Sequence, residues 1–112
     1  MKKDDCIFCK IANGDFGTEF ILETDEIVAF RDINPQAPEH ILVVPKEHYE
    51  NILEINDPEL LAKLIQGVQA VSKKIGLKEF RIVINTGKQA GQTVFHLHIH
   101  MLGGKELNAT FD

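Results

Sequence analysis

The chain of 112 residues predicts an α+β fold: a five-stranded antiparallel sheet with one long helix and a short N-terminal helix. Three observations lead there. One segment repeats apolar residues at helical spacing. Five short runs are rich in β-branched and aromatic residues and are bounded by turn formers. The last two of these runs are separated by about nine residues, which suits a hairpin and not a right-handed parallel crossover.

The elements follow in order. Cys6 to Asn13 predicts a helical turn with Ile7, Phe8 and Ile11 on one face, stopped by Gly14. Glu19–Glu23 and Ile27–Arg31 read as strands joined by Thr24-Asp25-Glu26. Asp32 to Pro38 is loop, because Pro35 and Pro38 cannot sit in a central strand. His40–Val44 is an apolar strand closed by Pro45. Asp57 and Pro58 are an N-cap and a proline at the first helical position. Leu60, Leu61, Leu64, Ile65, Val68, Val71 and Ile75 then form the helical stripe. Lys73 and Lys74 suit the C-terminal dipole, and Gly76 supplies the stop. Phe80–Asn85 and Phe95–Met101 are the last two strands, with a glycine-bearing loop, Gly87 to Thr93, between them. An antiparallel sheet with its helices on one face is expected, its other face left open.

Composition bounds the rest. The chain reads as a single domain over residues 1–112, with a core at 6–104 and a tail at 105–112. Met1 to Asp5 carries no signal-type pattern, and no run of about 20 apolar residues occurs, so a cytoplasmic protein without a membrane span is expected. A net charge of −5 argues against sequence-independent attraction to nucleic acid. It leaves room for a small phosphorylated ligand held by local donors. Cys6 and Cys9 form a C-x-x-C, which reads as a metal half-site, a redox pair or two free thiols.

Three of the five histidines stand at alternate positions of the last strand: His96, His98 and His100. On a strand they share one face, while Phe95, Leu97, Ile99 and Met101 line the other and pack beneath the long helix. Imidazole is a nucleophile, a base and a metal ligand. His96 and His100 lie four strand rises apart, roughly 13 Å, so one ion cannot collect all three without strong bending. A catalytic zinc on the whole row is the weaker reading. The stronger one makes His98 a nucleophile toward phosphorus, with glycines, an amide and a hydroxyl of the preceding loop around the oxygens.

His96-Leu97-His98-Ile99-His100-Met101-Leu102 resembles the H-φ-H-φ-H-φ-φ signature of the histidine triad superfamily, φ being apolar. The likeness extends through Phe30 to His48, Val83 to Gly87, Ala90 to Phe95 and Ile7 to Ile11, and fits the histidine triad nucleotide-binding (Hint) branch. That resemblance implies a purine nucleoside phosphoramidase or nucleotidyl hydrolase acting on AMP or GMP derivatives. His98 would form the nucleotidyl intermediate, with His96, His100 and His40 supporting it. Gly91, Gln92 and Thr93 would hold the phosphate, with Thr93 standing where relatives commonly carry serine. Asn85 would bind near the phosphate or ribose, and Asp32 would accept the ribose hydroxyls. Ile33, Ile7, Phe8 and Ile11 would wall the base. Read without the resemblance, Asn85 is equally a turn residue, Asp32 a loop cap, and the three α-helical apolar residues core.

His100 stands where the nucleotidyl-transferase branch carries glutamine, which favours hydrolysis. The resemblance also implies a structural zinc on Cys6, Cys9, His48 and His96, and no organic cofactor. It implies a homodimer paired through the long helix and a strand edge, continuing the sheet; Gly67 and Ala70 are the sequence hint for a flattened second helix face. The tail lacks the tryptophan of animal relatives, which leaves leaving-group preference open. A dinucleoside polyphosphate hydrolase and a nucleotide-binding module with little turnover are the alternatives.

Overall fold

The computed structural model describes residues 5–109. The readings made on Met1–Asp4 and on the end of the tail, 110–112, lie outside the described residues. Eight elements follow the chain: α1 (Ile7–Ala12), β1 (Leu22–Glu23), β2 (Ile27–Arg31), β3 (Glu39–Pro45), α2 (Pro58–Ile75), β4 (Phe80–Val83), a 3-10 turn (Lys88–Ala90) and β5 (Ile99–Gly103). The five strands make one antiparallel sheet in the order β1-β2-β3-β5-β4. The α+β class and the strand count are those the sequence predicts.

α2 begins and ends as its sequence dictates. The Asp57 side chain accepts from the backbone N–H of Glu59 and Leu60, and Gly76 closes the helix at φ 71°. Leu60, Leu64, Val68 and Val71 of the stripe are buried against Ile27, Ala29, Ile41, Val43, Leu97, Ile99 and Met101 of the sheet side. Gly67 also faces the sheet: a Cβ there would stand 3.4 Å from Val43 Cγ1 and 3.7 Å from Leu22 Cδ2. Its smallness lets the helix approach the strands, so it does not flatten a second face as the sequence reading had it. Ala70 remains exposed.

The expectation that both helices share one face of the sheet is corrected. α1 lies on the side opposite α2, where Cys6, Phe8, Cys9 and Ala12 pack with Val28, Phe30, Leu42 and Val44. β2 and β3 alternate strictly, and each of their faces is buried by a different helix. The histidine face is therefore roofed in part by α1.

The last strand is also corrected. The regular ladder starts at Ile99, opposite Val43, and runs to Gly103, opposite Glu39 and Phe80. Residues 94–98 run outside it in a bent segment, anchored where Leu97 N–H donates to Tyr49 O at 2.7 Å. Leu97, Ile99 and Met101 reach the core as predicted, whereas Phe95 is 44% exposed. β1 and β4 are shorter than predicted, so residues 84–98 form the connection to β5. Near the C-terminus, Arg81 of β4 donates to the backbone carbonyl of Asn108, so the tail lies back on the sheet edge at that point.

Candidate active site

The bend before β5 separates three histidines that a straight strand would have set in one row. His96 is fully buried beneath α1. Its Nε2 lies 2.8 Å from Pro45 O. A carbonyl only accepts, so Nε2 carries the ring hydrogen and Nδ1 keeps a lone pair. That lone pair faces Cys6 Sγ at 3.2 Å and Cys9 Sγ at 3.4 Å. His48 Nδ1 lies 3.3 Å from Cys9 Sγ, and the ligand atoms of all four residues fall within 4.8 Å of one another. A tetrahedral ion with bonds of about 2.0–2.3 Å has ligand edges of about 3.3–3.8 Å, close to these spacings. The donor set fits a closed site, and the carbonyl behind His96 is the usual outer partner of a ligating imidazole.

His98 is 7% exposed. Its Nδ1 stands 2.7 Å from the carbonyl of His96, so Nδ1 carries the hydrogen and Nε2 presents a lone pair. Phe8 packs edge-on against the ring at 5.0 Å between centroids and fixes its plane. Burial lowers the His98 pKa, partly offset by the His96 carbonyl and by Asp32, so the ring is neutral at neutral pH.

His100 sits at the end of a hydrogen-bonded chain. Gln36 N–H donates to His40 Nδ1 at 2.9 Å, which leaves the His40 hydrogen on Nε2. His40 Nε2 is 2.9 Å from His100 Nδ1, and donation across that gap places the His100 hydrogen on Nε2. Asp32 Oδ2 flanks His40 Nε2 at 3.6 Å. Asp32, His40 and His100 also hold ligand atoms within 4.8 Å. Metal on that set would require an anionic His40 ring, because its other nitrogen already accepts from Gln36; the set works as a relay. Burial lowers the His40 pKa, Asp32 opposing it, and burial followed by the neighbouring His98 and His40 brings His100 down to about 4.

His98, His100 and His40 open on a cavity of about 570 Å³, within the range of small-molecule sites. Of the predicted binding residues, Asp32, Ile33, Asn85, Gly91, Thr93, Ile7, Phe8 and Ile11 also line it. Ile33 is 92% exposed at its edge. Asp32 Oδ1 accepts from Asn34 N–H at 2.9 Å, leaving Oδ2 toward His40. Gly91, at φ 95°, packs beside the Asn85 amide, 3.8 Å from where its Cβ would be.

Gln92 is not brought to the cavity. It is 2% exposed; its amide donates to Glu50 O and Val94 O, and its oxygen accepts from Gly87 N–H. Nor do the N–H groups of Gly91 and Gln92 point outward, since they donate to Lys88 O and Gly87 O within the loop. Gln92 braces the loop that carries Thr93. Sequence reasoning missed Phe30 and Leu42, which face each other across β2 and β3 and floor the cavity. Strand alternation would have found them. It also missed Thr18 and Gln36, for which irregular backbone gives no periodic signal.

Comparison with known proteins agrees with this geometry. The family model described as HIT domain matches residues 13–107. A histidine triad protein from Clostridium difficile superposes with a TM-score of 0.93 at 42% identity, covering 99% of this chain and 100% of that one. A HIT family hydrolase from Legionella pneumophila gives a TM-score of 0.88 at 41% identity, covering 94% and 97%. A 14 kDa zinc-binding protein of Brassica juncea is 39% identical over 93% of this chain and 96% of its own length.

The lowered histidine pKa values set a pH dependence with a definite sign. The unfolded chain protonates its histidines near 6.5, whereas folded His100 resists until about 4. Stability is therefore retained above about pH 6.5 and falls as pH drops from there toward 4. Urea unfolding of the wild type at about pH 7 and about pH 5 should show the loss, and His100→Gln should reduce it by about 1–2 kcal/mol. An identical loss in the variant contradicts the assignment.

Proposed function

The chain belongs to the HIT domain family, and on that premise we propose that it is a nucleoside phosphoramidase, a nucleotidyl hydrolase working through His98. The observation that carries the reading is the 2.7 Å contact from His98 Nδ1 to the His96 carbonyl. It leaves Nε2 unprotonated, on a cavity with an apolar wall and a few polar groups. A hydrolase name on a relative of 41% identity supports the reaction class.

In this reading His98 Nε2 attacks phosphorus, a P–N bond to the ring forms, and the substrate's own P–N bond breaks. The bonding pair stays on the leaving nitrogen, which takes one proton from the medium. In the second half, water adds to phosphorus, the ring recovers its electron pair, and the water's extra proton is released. One water is consumed, and a nucleoside monophosphate and an amine are the products. Splitting one displacement into two lowers each barrier. The His100 Nε2–H, the Thr93 hydroxyl and the Asn85 amide donate to the phosphoryl oxygens. Asp32 accepts the ribose hydroxyls, and Phe8, Ile11 and Ile33 enclose a purine.

Zinc occupies Cys6, Cys9, His48 and His96 in the same reading, and the zinc-binding name of the Brassica relative supports it. When bound, it clamps the start of α1 to the bent segment before β5. A thiol-rich site of this kind suits a reducing compartment such as the cytoplasm. Among the described residues no helix is long and apolar enough to cross a membrane.

The chain pairs with a second copy through β4. That strand is an edge of the sheet, and Ile82 on it and Ile65 on α2 are 41% and 44% exposed. Among the described residues no further strand pairs with β4, and a sheet edge carrying an exposed apolar side chain invites continuation of the ladder.

Intact-mass measurement after mixing with adenosine 5′-phosphoramidate and quenching in denaturant tests the nucleophile. Wild type should carry one nucleotidyl group; His98→Ala should carry none and lose at least about 10³-fold in turnover. Equal activity in that variant ends the assignment. Elemental analysis should find one zinc per chain, absent in Cys9→Ser, with a lower melting temperature once chelated. A zinc-free protein of unchanged stability would contradict it. Light scattering should give twice the chain mass for wild type and the chain mass for Ile82→Glu; a monomeric wild type sinks the dimer.

A further inference from the structure

A second cavity, of about 340 Å³, adjoins the one that holds His98. Ile7, Thr93 and Val94 line both, so the two share a rim. Beyond that rim stand Asp5, Cys6, His48 and Phe95. Phe95 is 44% exposed, an aromatic surface that the bent segment turns away from the core. Among the described residues, Asp5 is the lining's one carboxylate, and no lysine or arginine lines it. The first cavity accounts for a nucleoside monophosphate, whose bulk is base, ribose and one phosphate. Nothing in that chemistry uses the second.

Resting on the phosphoramidase reading, we propose that this second cavity is the leaving-group subsite and that it selects amines bearing a further positive charge. Thr93 links the two spaces, so a group attached to phosphorus beside Thr93 extends toward Phe95 and Asp5. A short methylene chain lies on the Phe95 ring, and an ammonium at its far end meets the Asp5 carboxylate. The same electrostatics disfavour a phosphate or a second nucleotide as leaving group, because among the described residues the lining offers a carboxylate and no lysine or arginine to receive it. The cavity therefore distinguishes diamine-type phosphoramidates from dinucleoside polyphosphates.

The test is a substrate series built on one nucleoside monophosphate. Its N-substituents are hydrogen, n-butyl, 4-aminobutyl and 3-carboxypropyl, and kcat/KM is measured for each. The aminobutyl compound should exceed the butyl compound about tenfold, and the carboxypropyl compound should fall below it. Asp5→Asn should bring the aminobutyl-to-butyl ratio near one, and added salt should shrink it in wild type. Phe95→Ala should lower kcat/KM for both chain-bearing amines while leaving their ratio in place. Turnover of the unsubstituted compound with no discrimination among the other three overturns the subsite alone. An unchanged ratio in Asp5→Asn does so too. Failure to turn over any member overturns the subsite together with the phosphoramidase reading.

Discussion

The site depends on one backbone carbonyl, that of His96. It accepts from His98 Nδ1, and because a carbonyl has no hydrogen to give, it settles which nitrogen of His98 keeps the lone pair. A carbonyl can do this only if it stays in place. His96 is held through its ring, which donates to Pro45 O and turns its other nitrogen to two thiols. The next residue is held through its amide, which donates to Tyr49 O. None of these contacts is a ladder bond of β5, so His98 rests on a segment held by a side chain, the end of β3 and a loop where the pairing of β5 has not yet begun.

That ending explains how three histidines in one short stretch acquire three surroundings. A straight strand would have placed them on one open face with like electrostatics. The bend at 94–96, together with α1 above it, buries His96 among sulfur and nitrogen. His98 is left at the cavity floor, and His100, the only one within the regular strand, meets His40 across β3. The proline before the loop at 46–50 takes part as well: Pro45 ends β3 and offers its carbonyl to His96.

Much of this was legible in the residues. α2 could be read from Asp57 to Gly76 because capping, stripe and stop are all local features. Class, strand count and the pairing of the last two strands followed from alternation and from the short distance between those two strands. Membership of the histidine triad group rested on the resemblance of His96 to Leu102 and of several upstream segments to that family, and most cavity residues came with it. What escaped depends on non-local packing. Which face α1 covers is set by Phe8 and Cys9 meeting Val28 and Leu42, and no pattern within α1 records it. Phe95 looked like a core residue because alternation was extended back four residues from Ile99, where the ladder begins. Gln92 looked like a phosphate ligand together with the rest of the Gly91-Gln92-Thr93 segment; its amide is engaged by Glu50, Val94 and Gly87, contacts that no local pattern records.

The charge balance of the site completes the argument. The chain carries a net charge of −5, and the one arginine lining the main cavity, Arg31, is paired with Glu39. Burial holds His40, His98 and His100 neutral at neutral pH. In the proposed reading an anionic ligand therefore meets dipoles rather than full positive charges: the His100 N–H, the Thr93 hydroxyl and the Asn85 amide. Such donors interact modestly with a single diffuse negative charge and more strongly as charge concentrates on phosphoryl oxygens during displacement. They are aimed in advance, by the relay from Gln36 through His40 and by the loop that Gln92 braces, so they need no reorganisation when that charge develops. In that reading a neutral His98 adds to this, since it would approach an anionic phosphoryl centre without the repulsion a thiolate or carboxylate would meet. The physical requirement for a neutral His98 and the requirement for uncharged donors around it have the same origin: a histidine cluster withdrawn from water between a sheet and a short helix.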